Sequence, residues 1–418
     1  MKIAMTSILA LALVACSQQK APAPTEPETV AAPKTAAEIH DEMLVLDTHL
    51  DTPANFSKAG FDIMADNPSV LGSVQVDLPK MNRGGLDGGF WVTFTPQGPM
   101  DPASYEAAKQ AALTRNQEIH DMVAAHPESF ELAYTSEDAA RIAASGKKVV
   151  YMSIENSYPL GTDIGMVEEF YNRGVRMIGP VHFRDNQFAD SSTDLGANDY
   201  GGLSPLGEEL VKEANRLGMI LDGSHASDST VDDMIELSTT PIILSHTGVK
   251  AVYDHPRNID DDLMRKVADD GGVIQINAYG SYLEQLTPTP ERQAALDEMQ
   301  KEFEGISPAT ADAETRDRYI AKMEEIDAKF PAPRSTFEKF LEHMNHALEV
   351  VGPDHVGMGA DWDGGGGVTG MEDVSFLPKV TEALLAEGYS EEDIQKIWSG
   401  NMLKLMKQVE DAAVPKSE

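Results

Sequence analysis

The sequence predicts an α/β chain folded as a (β/α)8 barrel of the TIM type, with a helical insertion after the seventh strand. Three observations carry this reading. Eight apolar runs alternate with helix-like segments after about Thr35. Most of the runs are apolar at consecutive positions, the pattern of parallel strands covered on both faces. No glycine-rich phosphate loop follows the first run, which weighs against a doubly wound open sheet, the competing architecture.

In order, the runs are "MLVLDTH" from Met43, "GGFWVTF" from Gly88, "KVVYMSIE" from Lys148, "VRMIGPVH" from Val175, "MILDGSH" from Met219, "PIILSH" from Pro241, "GVIQINAY" from Gly272 and "HVGMGAD" from His355. Helix-like segments cover residues 104–125, 136–144, 205–217, 229–237 and 260–268, and two more follow the last run at 378–387 and 391–407. Ser204-Pro205 and Ser390-Glu391-Glu392 read as helix starts, a capping hydroxyl followed by residues that suit a first turn. The stretch from Leu283 to Arg334 is longer than a barrel loop needs and is dense in helix formers, as in "PERQAALDEMQKEFEG" and "AETRDRYIAKMEEIDAKF". It reads as a helical excursion after strand seven, either a surface elaboration or part of the active-site rim or a dimer contact. No internal repeat is visible.

Ahead of the barrel, Met1-Lys2 and the apolar run "IAMTSILALALVA" lead to Cys16. A basic start and an apolar run too short to span a bilayer comfortably read as an export signal. "LVAC" resembles the lipobox of bacterial lipoproteins, in which the cysteine becomes the lipidated first residue; a plain secretory signal is the alternative. Residues 17–36, rich in Pro, Ala, Thr and Glu, read as a disordered tether. The expected organisation is a signal peptide at 1–16, the tether at 17–36 and the barrel domain at 37–410. The expected location is the bacterial cell envelope, facing the periplasm, anchored to the membrane through Cys16.

Cys16 is the single cysteine, so the mature fold has no intramolecular disulfide and no cysteine-based zinc site. The 33 basic and 69 acidic residues give a formal charge of −36, which argues against nucleic acid as a partner, because phosphates would be repelled.

The chemistry is read from where polar residues fall. His49 and Asp51 end strand one, Glu155 strand three, His182 strand four, His225 strand five, His246 strand six, and Asp361 and Asp363 strand eight. In a barrel all of these face the C-terminal mouth. One such histidine is commonly a satisfied core residue; four of the eleven, with carboxylates, at one end of six strands call for another explanation. Imidazoles and carboxylates without thiolate suit zinc or another divalent first-row metal. The ligands are too many for one tetrahedral ion with an open position and suit two ions sharing a carboxylate, for which Glu155 is the natural bridge. Such a centre implies hydrolysis of an amide or ester.

"DTHLDTP", "SIEN", "GGLSPLGEELVKEANRLGMILDGSHAS", "PIILSHTGVKAVYDHPRNIDDDLMRKVADDGGVIQINAY" and "HVGMGADWDG" together resemble the membrane dipeptidases, also called renal dipeptidases, peptidase family M19. The resemblance runs from about Leu44 to about Leu405. It implies a barrel with two zinc ions per chain that hydrolyses dipeptides, typically as a homodimer. Carried over by motif, His49, Asp51 and Glu155 would bind the first zinc, and Glu155, His225 and His246 the second. His182 would sit by the substrate carbonyl, Arg257 in "HPRN" would take the substrate carboxylate, and Asp361 would be the acid at strand eight. Asn156 and Ser157 stand where the family often has two glycines, and the stretch from Leu283 has no close counterpart.

The residues themselves agree with these roles. A guanidinium binds a free carboxylate in a planar fork, although a surface salt bridge is the plainer reading of Arg257. His182 reads equally as a buried structural histidine. Asp361 could take the water's proton and pass it to the leaving amine, with Asp363 the alternative in "GADWD". Two other functions compete. One is a different binuclear amidohydrolase acting on a lactone, phosphotriester or cyclic amide; many of those bridge their metals with a carboxylated lysine, whereas here Glu155 ends the strand that Lys148 begins. The other is a lipoprotein that binds peptides without cleaving them.

Overall fold

Eight parallel strands occur in the expected order: β1 (Leu46–Leu50), β2 (Gly88–Thr93), β3 (Lys148–Ile154), β4 (Val175–Ile178), β5 (Ile220–Leu221), β6 (Ile243–Val249), β7 (Val273–Ile276) and β8 (Val356–Met358). The computed structural model describes residues 34–68, 74–194, 196, 199–304 and 313–414. The signal segment, Cys16 and the tether up to residue 33 lie outside the described residues. The fold is that of the unit Ala36–Glu418.

Continuous parallel ladders run from β1 through β5 and from β6 through β8. Single bridges close the two seams. Asp222 pairs with Ile243 between β5 and β6, and Leu50 pairs with Trp362 between β1 and the segment leaving β8. At the second seam the Asp51 N–H donates to the Trp362 carbonyl over 2.8 Å. The ring so formed is the expected barrel. Two short strands lie outside it: Phe130–Leu132 pairs with β3, and Asn258–Ile259 pairs with β6.

Three adjustments concern strand ends. β5 and β8 are shorter than their apolar runs, because residues 222–225 and 359–361 leave the ladder. β6 extends past His246 to Val249, so that histidine lies within the strand rather than at its end.

The helices at Pro205–Leu217 and Pro378–Glu387 stand where the sequence puts them. Ser204 accepts from the Gly207 N–H, and Ser390 forms a reciprocal capping box with Asp393. The last helical stretch is interrupted by a π-helical turn at Lys396–Gly400 before Asn401–Ala412. The sequence reading missed short helices at Ala36–Asp41, Leu78–Arg83 and Gly165–Asn172, and a long one at Phe337–Val351. The long one is the outer helix between β7 and β8, with Phe340, His343, Met344, Ala347 and Leu348 buried at helical spacing. The insertion ahead of it is helical among the described residues, at Pro290–Glu302 and Ala313–Lys329, and packs through its own small cluster of Met299, Phe303 and Ile326.

Seven strands send a side chain into one apolar cluster: Leu46, Phe90, Val149, Met177, Ile220, Ile243 and Val273. Most of these are early residues of their strands, and Met402, Leu405 and Met406 of the C-terminal helix pack against them. The N-terminal end of the barrel is therefore filled with apolar side chains, each worth roughly 1.5–3 kcal/mol on burial. Polar chemistry is confined to the opposite end.

Candidate active site

Where the strands leave the ladder, their side chains turn polar. His49 is the fourth residue of β1 and Asp51 follows it; Glu155 follows β3; His182 and His225 stand four residues past β4 and β5; Asp361 stands three past β8. The structure brings all of them, with His246, to one point. Oε1 of Glu155 lies 3.1 Å from Nε2 of His225, 3.2 Å from His182, 3.6 Å from His246 and 3.7 Å from His49. Nε2 of His49 is also 3.4 Å from Asp51 and 4.0 Å from Asp361. Three overlapping groups result: His49–Asp51–Asp361, His49–Glu155–His246 and Glu155–His182–His225.

Backbone strain helps to aim these side chains. His225 and Asp361 have φ of 66° and 64°, the left-handed region that side-chain-bearing residues rarely adopt and that costs of order 1–3 kcal/mol. A Cβ at Gly364 would fall on the carboxylate oxygens of Asp51 and Asp361, so only glycine lets this loop approach them. Behind His246, the Ser245 hydroxyl donates to Asp222 over 2.5 Å and lies 2.9 Å from Nδ1 of His246. Because that hydroxyl proton is committed to Asp222, Nδ1 carries the imidazole proton and Nε2 presents its lone pair to the centre.

The electrostatics are those of a cluster arranged around positive charge. Burial works against ionisation of Glu155, yet His182, His225 and His49 hold its carboxyl well below the usual range. Burial, reinforced by nearby cationic groups that include Arg257, keeps His225 and His246 far below the ordinary imidazole range, so both stay neutral. Burial opposes the charge on His49 as well, but Asp51, Glu155 and Asp361 push it up to about 10. Burial raises Asp361 well above a normal carboxyl; His49 pulls the other way, and Asp51 and Glu155 raise it further.

These residues fit a metal centre. Nε2 of His49 is buried among three carboxylates without making a hydrogen bond. Nε2 of His225 faces Nε2 of His246 at 2.9 Å, two ring nitrogens aimed at a common space. Buried polar atoms left so are uncommon unless an ion or ligand serves them. The nitrogen and oxygen donor set suits zinc or a related divalent ion.

Arg257 lies beside this centre, buried. One Nη donates to the His246 carbonyl over 2.6 Å, the Tyr282 ring lies 5.7 Å from the guanidinium carbon, and Nε has no partner among the described residues. The surface salt bridge considered for it is therefore wrong. Asp363 points elsewhere: its carboxylate accepts from the Gln75 N–H and the Thr52 hydroxyl, which leaves Asp361 as the strand-eight acid at the centre. Three other histidines make structural bonds. His40 bonds Thr381 and the Gly84 carbonyl, His343 links Val249 N–H to the Leu283 carbonyl, and His355 reaches the Gly272 carbonyl. Sequence reasoning missed Asp222, Ser245 and Tyr282. The first two sit beside the marked histidines, in "LDGSH" and "LSH", which was the available signal.

Comparison with known proteins agrees with this geometry. The family model described as membrane dipeptidase (peptidase family M19) matches residues 34–418. The dipeptidase tcpJ of Claviceps purpurea is 29% identical over 364 residues, covering 85% of this chain and 75% of its own length. The crystal structure of the probable dipeptidase PvdM from Pseudomonas aeruginosa superposes with a TM-score of 0.78 at 32% identity, covering 90% of this chain and 98% of that one. A metallopeptidase from Rhodobacter sphaeroides, solved with a phosphinate mimic of L-Ala-D-Ala, gives 0.69 at 25% identity, covering 88% and 99%. A family model that spans the whole barrel, over a centre of imidazoles gathered on one carboxylate, leaves one assignment: the chain belongs to the membrane dipeptidases, peptidase family M19, and is a metallopeptidase.

Proposed function

We propose that this protein is a two-zinc dipeptidase, and that it accepts dipeptides with a D-residue in second position. One observation carries the proposal: a single carboxylate oxygen, on Glu155, stands within 3.1–3.7 Å of four imidazole nitrogens. His49, Asp51 and Glu155 would hold one ion, and Glu155, His225 and His246 the other. Together the ions would supply the acidity that makes water a nucleophile near neutral pH and would polarise the scissile carbonyl. The D-residue reading is supported by the ligand of the Rhodobacter sphaeroides neighbour.

The chain's own residues do the rest. Arg257 binds the substrate's free carboxylate, since its guanidinium is buried beside His246 and its Nε has no partner among the described residues. His182, at the rim and the least buried imidazole of the cluster, contacts the carbonyl oxygen as it gains charge. Asp361 takes the proton that water loses as the new carbon–oxygen bond forms, and returns it to the amine as the carbon–nitrogen bond breaks. We also propose a homodimer, and export as a lipoprotein anchored at Cys16, supported by the family resemblance and by "LVAC".

Elemental analysis of purified protein is expected to find close to two zinc ions per chain, with Ala-Ala hydrolysis abolished by a chelator and restored by zinc. Glu155→Gln should lower occupancy of both sites together, because it is the shared ligand. A metal-free preparation with full activity would overturn the proposal.

A further inference from the structure

A cavity of about 360 Å³ opens beside the metal-binding cluster, and none of its polar residues is used by the mechanism above. Its wall includes Gln75, Tyr279, Arg334, Ser335, Asp363 and Gly364. It adjoins the centre directly: Gly364 borders the cavity and also lies against the carboxylates of Asp51 and Asp361. The insertion after β7 supplies its far side, through Leu286 and the run Ala332 to Arg334. The glycine run 364–367 supplies the near side. A Cβ at Gly365 would collide with the Tyr279 ring and one at Gly367 with the Gln75 amide, so the space depends on bare backbone there.

Arg334 is the charge in this cavity that has no assigned use. It is half-buried and makes no hydrogen bond or ion pair with any described residue. The acids whose charge reaches it are committed elsewhere: Glu372 accepts from the Gly370 N–H, and Asp327 pairs with Arg292. Asp363, on the same wall, is held by the Gln75 N–H and the Thr52 hydroxyl, and burial pushes it up to about 6. A half-buried guanidinium without a partner is a recognition element for a carboxylate.

We propose that this cavity receives the side chain of the substrate's amino-terminal residue, and that Arg334 makes the enzyme prefer dipeptides beginning with glutamate or aspartate. The inference rests on the dipeptidase reading of the metal centre. Arg257, bonded to the His246 carbonyl, takes the free carboxylate beside that histidine. The cavity borders the centre beside Asp51 and Asp361. A dipeptide lying with its carbonyl over Glu155 spans about 3.3–3.6 Å per residue, so its first side chain is the one that reaches the cavity.

The test compares kcat/KM on Glu-Ala and Gln-Ala, two substrates of one shape that differ in charge, with Ala-Ala as reference, using zinc-loaded full-length enzyme. Wild type is expected to favour Glu-Ala over Gln-Ala by about ten- to one-hundredfold, the range of a charge-assisted contact. Arg334→Met should bring that ratio close to one, Arg334→Lys should keep part of it, and Arg334→Glu should shift preference to Lys-Ala. The charge reversal distinguishes recognition from a general loss of fold, because damage alone cannot create a new preference. A wild-type ratio near one with rapid Ala-Ala hydrolysis overturns the inference and leaves the dipeptidase reading standing. Failure on all three substrates overturns that reading instead. A preference that appears on Ala-Glu over Ala-Gln, and not on Glu-Ala over Gln-Ala, overturns the assignment of the cavity to the first residue.

Discussion

At the scale of single residues, the site was legible wherever a ligand type coincided with a strand end. His49, Asp51, Glu155, His182, His225 and Asp361 could be marked because a barrel sends the ends of its strands to one mouth, so the sequence position already implied the spatial one; His246 joins them from within β6. What the sequence could not show was which groups serve those ligands. Ser245 orients His246 only because β5 brings Asp222 alongside it. Arg257 illustrates the same limit, since nothing in "HPRN" distinguishes a surface guanidinium from a buried one. The structure turns its role into a quantitative expectation. If Arg257 clamps the free carboxylate, amidating the dipeptide should cost roughly 1.5–3 kcal/mol, about one to two decades in kcat/KM. Arg257→Ala should lose a comparable amount on the free dipeptide and almost nothing more on the amide. Additive losses in that two-by-two comparison would show that Arg257 binds something else.

At the scale of elements, the alternation of strands and helices was readable because each barrel strand is covered on both faces and so appears as an unbroken apolar run. The elements that escaped were short or merged with others. The helix Phe337–Val351 has a clear amphipathic period, but it begins directly after the charged insertion, and from the sequence it is assigned to no element. The helix Leu78–Arg83 is only six residues long, too short for period or propensity to identify. Tertiary contacts hold it. Lys80 is fully buried, its ammonium pairs with Asp77 and donates to the Asn67 carbonyl over 2.7 Å, and Asp77 caps the helix through the Lys80 N–H while accepting from the Asn67 N–H. Removing one partner of a buried pair leaves an uncompensated charge, which typically costs about 3–5 kcal/mol. Lys80→Met is therefore expected to lower stability by about that amount in denaturant unfolding of the zinc-loaded protein. The double variant Asp77→Leu/Lys80→Met should recover part of the loss, short of the helix cap that goes with Asp77. A single variant within about 1 kcal/mol of wild type would show that the pair does not anchor this segment.

At the scale of the whole molecule, two kinds of information stand apart. The barrel and its mouth were legible because topology constrains them; the cavity beside the insertion was not, because it forms only where Ala332 to Arg334 meets a glycine run that follows β8. The proposed membrane attachment rests on the N-terminal sequence and on neither the barrel nor its helices. No helix among the described residues is long and apolar enough to cross a bilayer. The proposed anchor is covalent, at the single cysteine, and physical chemistry sets a condition on it. One acyl chain binds membranes only marginally, whereas several hold a protein stably. A mature chain starting at a multiply acylated Cys16 should stay with membranes in high salt and be released by detergent. The strongly acidic surface, with a formal charge of −36, offers no electrostatic attraction to anionic lipid that could substitute for the acyl chains. Cys16→Ser is accordingly expected to block processing or to move the protein into the soluble envelope fraction, with dipeptidase activity per molecule retained, since the proposed metal ligands begin 33 residues later at His49. The measurement is fractionation with mass spectrometry of the N-terminus. If Cys16→Ser protein is processed and still sediments with membranes like wild type, the anchor lies elsewhere and the lipoprotein proposal fails.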